Sequence, residues 1–267
     1  MKDKKALTVD VGLDQLDGKS RLPARLDLAQ SLSGLLLALF MWGHMFFVSS
    51  ILFGKEAMYM VTRTFEGYYL FDKSYPWVVS LVVAFIMMLF VLHAVLALRK
   101  FPASYQQYKV FLAHKSVMKH SDTSLWLIQV YTGFLMLFLG SAHLFQMFFH
   151  PDQIGPYASA DRLWSDGHWP FSLILAIAVV LHGTIGLYRL ALKWGWLQGA
   201  NPEAGRRRLK VAMWLIIVFF LMLEMATLAA YMKIGIDHEE NAGERYHSVT
   251  AVGVIPRSSR VEVRLPS

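Results

Sequence analysis

Five long apolar stretches, near residues 29–53, 77–98, 123–149, 170–192 and 210–232, set the pattern of this chain. Each reaches the roughly 20 residues that a helix needs to cross a bilayer. Lipid offers the backbone no hydrogen-bond partner, so such spans are helices. The expected fold class is all-α: a polytopic membrane bundle of five transmembrane helices. The stretches between them are polar and carry turn chemistry. Pro102, after Arg99 and Lys100, closes the second span, and Pro151 with Gly155-Pro156 breaks the chain before the fourth. We divide the chain into a polar arm (1–28), one membrane domain without an internal repeat (29–232) and a C-terminal extension (233–267). That extension is charged and is read as a surface or disordered segment.

Charge then orients the bundle. The chain has 267 residues, 55% hydrophobic and 17% charged, with a net charge of +7. Of its 26 Lys and Arg, 17 lie in the N-terminal arm and the loops 99–120 and 189–210, against four in the two opposite loops. The positive-inside tendency puts the N-terminus in the cytoplasm and the C-terminus outside, which an odd number of spans permits. The excess charge is read as a lipid-headgroup or partner face, and no nucleic acid is implied. The first 25 residues hold no apolar core of a signal peptide. With no cysteine, the chain forms no disulfide, no thiolate-held cluster and no covalent C-x-x-C-H haem site.

The candidate chemistry is a set of four histidines, each alone in a different span: His44, His93, His143 and His182. A polar ring is costly in lipid and usually faces a bundle interior. Counted along alternating spans at ~1.5 Å per residue, His44 and His143 fall within ~15 Å of the outer face, and His93 and His182 in the inner half. Two imidazoles can clamp one haem iron, so these depth-matched pairs point to two haem b groups, one near each face. Gly140, Ala97 and Gly186 lie three or four residues from a histidine, where a flat porphyrin needs missing side chains; small residues also simply let membrane helices pack closely. The other six histidines (His114, His120, His150, His168, His238, His247) fall in loops or the tail and are read as solvated. A lone membrane histidine can also serve only to hydrogen-bond a neighbouring helix, so a haem-free anchor or transporter stays open. So does a haem-bearing anchor for a formate dehydrogenase or hydrogenase docked outside.

Four stretches carry a family resemblance: LFMWGHMFFVS around His44, LHAVLALRKFP around His93, DTSLWLIQVYTGFLMLFLGSAHLF around His143 and LHGTIGLYRLALKWGW around His182. They resemble the di-haem cytochrome b subunit of menaquinone-dependent fumarate reductases and succinate dehydrogenases. The resemblance implies a multi-pass protein of the bacterial cytoplasmic membrane. It would anchor an iron–sulfur subunit and an FAD flavoprotein on the cytoplasmic side, in a possible dimer of heterotrimers. Menaquinol oxidised near the outer face would send electrons inward through both haems to fumarate; the reverse, succinate-oxidising direction uses the same parts. Glu66, in TFEGYY, stands for the family's quinone-site acid, although a loop glutamate is ordinarily a solvated charge. Gln30, Ser31, Trp126 and Lys193 match positions that hold inner haem propionates, and Arg162 is a candidate on the outer side. Members of the family carry a glutamate two residues before the last ligand, implicated in proton movement; here that place is Val180. Glu224, in FFLMLEMATLAAYM, is an intramembrane acid at similar depth. It is either a relocated proton-handling group or a protonated acid bonded within the bundle.

Overall fold

The computed structural model describes residues 20–100, 105, 106, 109, 121–197 and 199–248. Most of the polar arm, most of the basic loop 99–120 with His114 and His120, and the tail beyond 248 lie outside the described residues. Five helices are long and apolar enough to cross a membrane, and the described residues contain no strand. They are α1 (Leu22–Val48), α4 (Pro76–Leu98), α5 (Ser121–Phe149), α7 (Trp169–Lys193) and α8 (Pro202–His238). The expected all-helical five-span bundle is therefore what the chain forms. Three shorter helices, α2 (Lys55–Phe65), α3 (Tyr68–Phe71) and α6 (Pro156–Leu163), lie in the segments read as loops.

Proline in the first turn starts α1, α4, α7 and α8, where its missing N–H costs nothing and its fixed φ suits the helix. At α8 the Asn201 side chain adds a cap by accepting the Ala204 N–H at 3.0 Å. Both α1 and α8 outrun their apolar stretches. Hydropathy marks the part of a helix that lipid covers, not where its hydrogen bonds stop. The 37 residues of α8 make ~55 Å of helix against ~30 Å of hydrocarbon, so its ends project beyond the lipid.

The four histidine-bearing helices close into a ring. Neighbours pack in the order α1, α4, α5, α7, and α7 returns to α1. In this ring α1 faces α5 across one diagonal, and α4 faces α7 across the other. Outside it α8 packs along α7 and touches α1, through a core of Met45, Val180, Ile185, Met213, Ile217 and Phe220. On the outer surface of the bundle Leu81, Phe138 and Met222 are exposed, as lipid-facing side chains should be.

The described part of the segment read as a surface or disordered extension, residues 233–248, is anchored. Beyond residue 232 α8 continues and presses Gly235 onto α6, where an added Cβ would lie 2.8 Å from the Ala160 carbonyl oxygen and 2.6 Å from Trp164 Cβ. His238, expected to be solvated, is buried: its Nδ1 donates to Asp161 Oδ1 at 3.0 Å, and its ring stacks on Tyr157. Asp161 also accepts the Gly243 N–H at 2.9 Å. Further along, Tyr246 and Ser248 donate to the two oxygens of Glu56 at 2.8 and 2.5 Å. Burial and the Glu56 charge push the Tyr246 phenol up to about 12. The sequence pattern could not show this because the contacts join the short helices α2 and α6 to residues 235–248, far along the chain.

Asp161→Ala strips the partner from a buried imidazole and from a backbone N–H. A loss of about 2–4 kcal/mol is expected, read as a lower Tm in a thermal scan of the detergent-solubilised protein. An unchanged Tm would show that this cap is not part of the cooperative fold.

Candidate functional site

A cavity of about 970 Å³ runs through the ring of four helices, and all four span histidines line it. They meet across the diagonals. His44 of α1 and His143 of α5 have ring centroids 6.4 Å apart, and His93 of α4 and His182 of α7 lie 6.5 Å apart. These are the partners that depth counting selects. The helices on each diagonal run in the same direction, so equal depth and facing position coincide. Among the described residues no group of three or more His, Asp or Glu converges as round a bare metal ion.

The inner pair shows why its rings stand as they do. His93 Nδ1 lies 3.2 Å from the Gln30 carbonyl oxygen and 3.2 Å from Ser33 Oγ; His182 Nδ1 lies 2.9 Å from the Gln129 carbonyl oxygen and 3.5 Å from Thr132 Oγ1. A carbonyl only accepts, so Nδ1 carries the proton in both rings and Nε2 keeps its lone pair. That is the state in which an imidazole binds a metal, held by a donor contact behind it.

The helix carbonyls are reachable because of glycine. In an α-helix the carbonyl of residue i bonds the N–H of i+4, and the i+4 side chain stands beside it on the same face. Residue i+4 is Gly34 for Gln30 and Gly133 for Gln129. A Cβ at Gly34 would come within 2.7 Å of His93 Cε1, and one at Gly133 within 2.9 Å of His182 Cε1. Each glycine therefore uncovers the second lone pair of a helix carbonyl and seats the ring of the neighbouring helix.

This arrangement is written twice. Gln30-x-x-Ser33-Gly34 on α1 recurs as Gln129-x-x-Thr132-Gly133 on α5, and each glycine precedes a histidine, His44 or His143, by ten residues. LHAVLAL at His93 recurs as LHGTIGL at His182. The reading of a chain without internal repeats is thus corrected: the α1–α4 pair echoes the α5–α7 pair. The same-helix neighbours chosen from spacing sit differently. A Cβ at Gly140 would meet Phe90 at an ordinary 3.5 Å, and one at Gly186 would lie 2.9 Å from Gln129 Nε2. The glycines against the inner rings come from across the interface, where spacing on one helix gives no signal.

The remaining candidates fall at both ends. Gln30, Ser31, Trp126 and Lys193 line the cavity on the side of His93 and His182. Lys193 donates to Ser31 Oγ at 2.9 Å and pairs with Asp27, which also pairs with Lys100. Two ammonium groups on one carboxylate leave positive charge in excess. The Gln30 Oε1 is buried with no partner among the described residues. Arg189, not singled out from sequence, also lines this end and donates to Gln129 Oε1 at 2.5 Å. At the other end Arg162 lines the cavity and donates to the Gln153 carbonyl at 2.9 Å, with burial lowering its pKa.

Glu66 caps the C-terminus of α2, half-buried, just past the cavity-lining Thr62 and Phe65 and not itself on the wall. Burial raises its carboxyl above the usual range, against the opposing pull of the Ser74 hydroxyl and the Arg245 and Arg63 charges. Val180 is fully buried in the α1–α7–α8 core. Glu224 lines the cavity from α8.

Haem b fits this site. Two imidazoles bonded from opposite sides to one iron at roughly 2 Å each, the distance typical of first-row metals, place their ring centres about 6 Å apart; rings sharing one axis are free to adopt any angle, such as the 61° and 90° found here. Cationic and polar groups at either end suit propionates.

Fold and site together define a polytopic helical membrane protein with two histidine pairs lining its central cavity, the architecture of a membrane electron-transfer subunit. Residues 106–223 match the family model described as succinate dehydrogenase/fumarate reductase transmembrane subunit. The chain is 50% identical to the fumarate reductase cytochrome b subunit of Wolinella succinogenes, over 83% of this chain and 87% of that one. With the protein of the same description from Helicobacter pylori it shares 51% identity, over 84% and 86%. The chain belongs to this family of complex-forming, multi-pass electron-transport subunits.

Gly34→Ala and Gly133→Ala are each expected to cost about 1–3 kcal/mol in thermal unfolding, because a ring held by its own hydrogen bond cannot yield. Gly140→Ala, which meets Phe90 at normal contact, is expected to be neutral or slightly stabilising. Equal effects at all three positions would overturn this account of the seats.

Proposed function

We propose that the chain is the di-haem cytochrome b anchor of a bacterial fumarate reductase, oxidising menaquinol near the outer face. His44 and His143 hold the outer haem b iron, and His93 and His182 hold the inner one. The reading is carried by one observation, the two diagonal histidine pairs with centroids 6.4 and 6.5 Å apart. Bound there, the haems supply one-electron relays between a two-electron quinol and the soluble subunits.

The chain's own residues do the rest. Gln30 and Gln129 orient the inner imidazoles through their backbone carbonyls and keep each Nε2 available. Gln30, Ser31, Trp126 and Lys193 bind inner propionates, and Arg162 an outer one. The largely apolar wall excludes water from the groups it would hold. Glu66 accepts a proton as menaquinol gives up electrons, which is general base work. The N-terminus and the basic loops face the cytoplasm, with the iron–sulfur and FAD subunits docked there and the C-terminus outside. The names of the relatives favour fumarate reduction over succinate oxidation and over a formate dehydrogenase or hydrogenase anchor.

The purified complex is expected to give two b haems per chain by pyridine haemochrome, and alanine at any one of the four histidines to leave about one. A chain with no haem would sink this reading in favour of a haem-free anchor.

For Glu66→Gln, quinol oxidation in the complex is expected to fall roughly 10²-fold with both haems retained. The base form exists only above the Glu66 pKa, which burial raises. The wild-type rate should therefore be lost as pH falls through that value, and the variant should show no such limb. A variant with the wild-type rate and pH profile would exclude Glu66 as the base.

A further inference from the structure

Among the described residues, the one carboxyl group on the cavity wall that this reading leaves unused is Glu224. It belongs to α8, the span with no histidine partner in the ring. Leu221, Glu224, Met225, Thr227, Leu228 and Tyr231 of α8 line the cavity. Four of the six are apolar or aromatic. The Glu224 Oε1 is buried and has no hydrogen-bond partner among the described residues. An unpartnered carboxyl oxygen on the wall of a site fitted to a charge-changing group needs an account, because such an atom costs free energy unless something meets it.

Depth places it at the outer pair. Thr227 Oγ1 donates to Ser49 Oγ at 3.1 Å, which levels α8 with α1. Both helices run in the same direction. Glu224 lies three residues inward of that contact and His44 five residues inward, so at ~1.5 Å per residue their levels differ by only ~3 Å. Four residues inward of Glu224, Phe220 packs in the core that holds Val180.

We propose that Glu224 is the redox-coupled proton site of the outer haem. When one electron from the quinol reaches the outer site, the Glu224 carboxylate binds one proton from the aqueous phase. When the electron moves inward, the O–H bond breaks and the proton leaves. One negative charge added is matched by one positive charge bound, so the step balances. The physical basis is that charges in a water-poor interior act on each other strongly, and among the described residues Glu224 has no ion-pair partner to damp the response. The ionisable groups on the packed elements are otherwise placed. Asp161 of α6 is held by His238; Arg162 of α6 is bonded to the Gln153 carbonyl; Tyr231 of α8 lies 3.4 Å from the Val48 carbonyl. His44 of α1 and His182 of α7 belong to the pairs, and His168 at the start of α7 is exposed.

This inference rests on the di-haem reading, and its test separates the two. The midpoint potential of each haem in the purified complex is titrated between pH 5.5 and 8.5 in wild type, Glu224→Gln and Glu224→Asp. The outer haem's pH slope is expected to fall by at least half in Glu224→Gln and to persist in Glu224→Asp, with the inner slope unchanged. A Glu224→Gln outer slope equal to wild type overturns the proposal while two titrating haems uphold the di-haem reading. Wild-type protein without two haems would overturn both. The reduced-minus-oxidised infrared difference spectrum gives a second readout on wild type and Glu224→Asp. A carboxylic C=O band that shifts between them is expected, and an identical carboxyl region in the two overturns the proposal even if the Gln variant does not assemble.

Discussion

The constraint on which the His93–His182 half of this bundle depends is a single N–H proton in each of two imidazoles. A neutral ring in an apolar interior has one N–H that must find an acceptor, and the surrounding helices offer carbonyls already engaged in their own ladder. A second bond to such a carbonyl is possible only where no side chain covers it. Gly34 and Gly133 open that access above Gln30 and Gln129, and they also give the room in which each ring sits. Ser33 and Thr132 turn their hydroxyls to the same nitrogens while bonding their own helices. One requirement thus fixes glutamine-to-glycine spacing, ring tautomer and helix proximity together.

The diagonal arrangement follows from topology. Consecutive spans alternate in direction, so two residues near the same face on spans that run alike are one span apart. In a ring ordered α1, α4, α5, α7 those spans are opposite corners. A histidine on each corner therefore gives two pairs at two depths without any helix carrying more than one. The fifth span is freed from this duty. It seals the α1–α7 edge with Val180, Ile217 and Phe220 and extends outward to lock α6 through Gly235, Asp161 and His238.

Much of this was legible in the residues. Five spans and the all-helical class follow from run lengths alone, and the partners His44–His143 and His93–His182 follow from depth. What stayed hidden needed facts about neighbouring helices. Helix ends escaped because Arg25, Asp27 and the segment Lys233 to Asp237 look like loop while being helical beyond the lipid. His238 looked solvated because Asp161, its partner, lies 77 positions away. The seats of the inner rings escaped because hydrophobic periodicity ranks glycine as merely small. Comparing Gln30–Gly34 with Gln129–Gly133 would have exposed them, since a polar residue four positions before a glycine inside a span is unusual and here it occurs twice at one distance from a histidine.

The two ends of the cavity differ in a way that bears on how charge is handled. At the inner end Lys100 and Lys193 converge on Asp27, and Arg189 stands nearby, partly exposed, so positive charge is in excess and water can screen it. An added negative charge is met there by fixed cations. At the other end α2, α6 and the continuation of α8 close over the bundle, and the cation on the wall, Arg162, is half-buried. Burial makes each uncompensated charge more costly, so a negative charge added there would meet less fixed positive charge than at the Lys100–Lys193 end. The difference between a cation-rich mouth and a capped, carboxyl-bearing wall gives the two histidine pairs unlike electrostatic surroundings, despite their nearly equal ring separations.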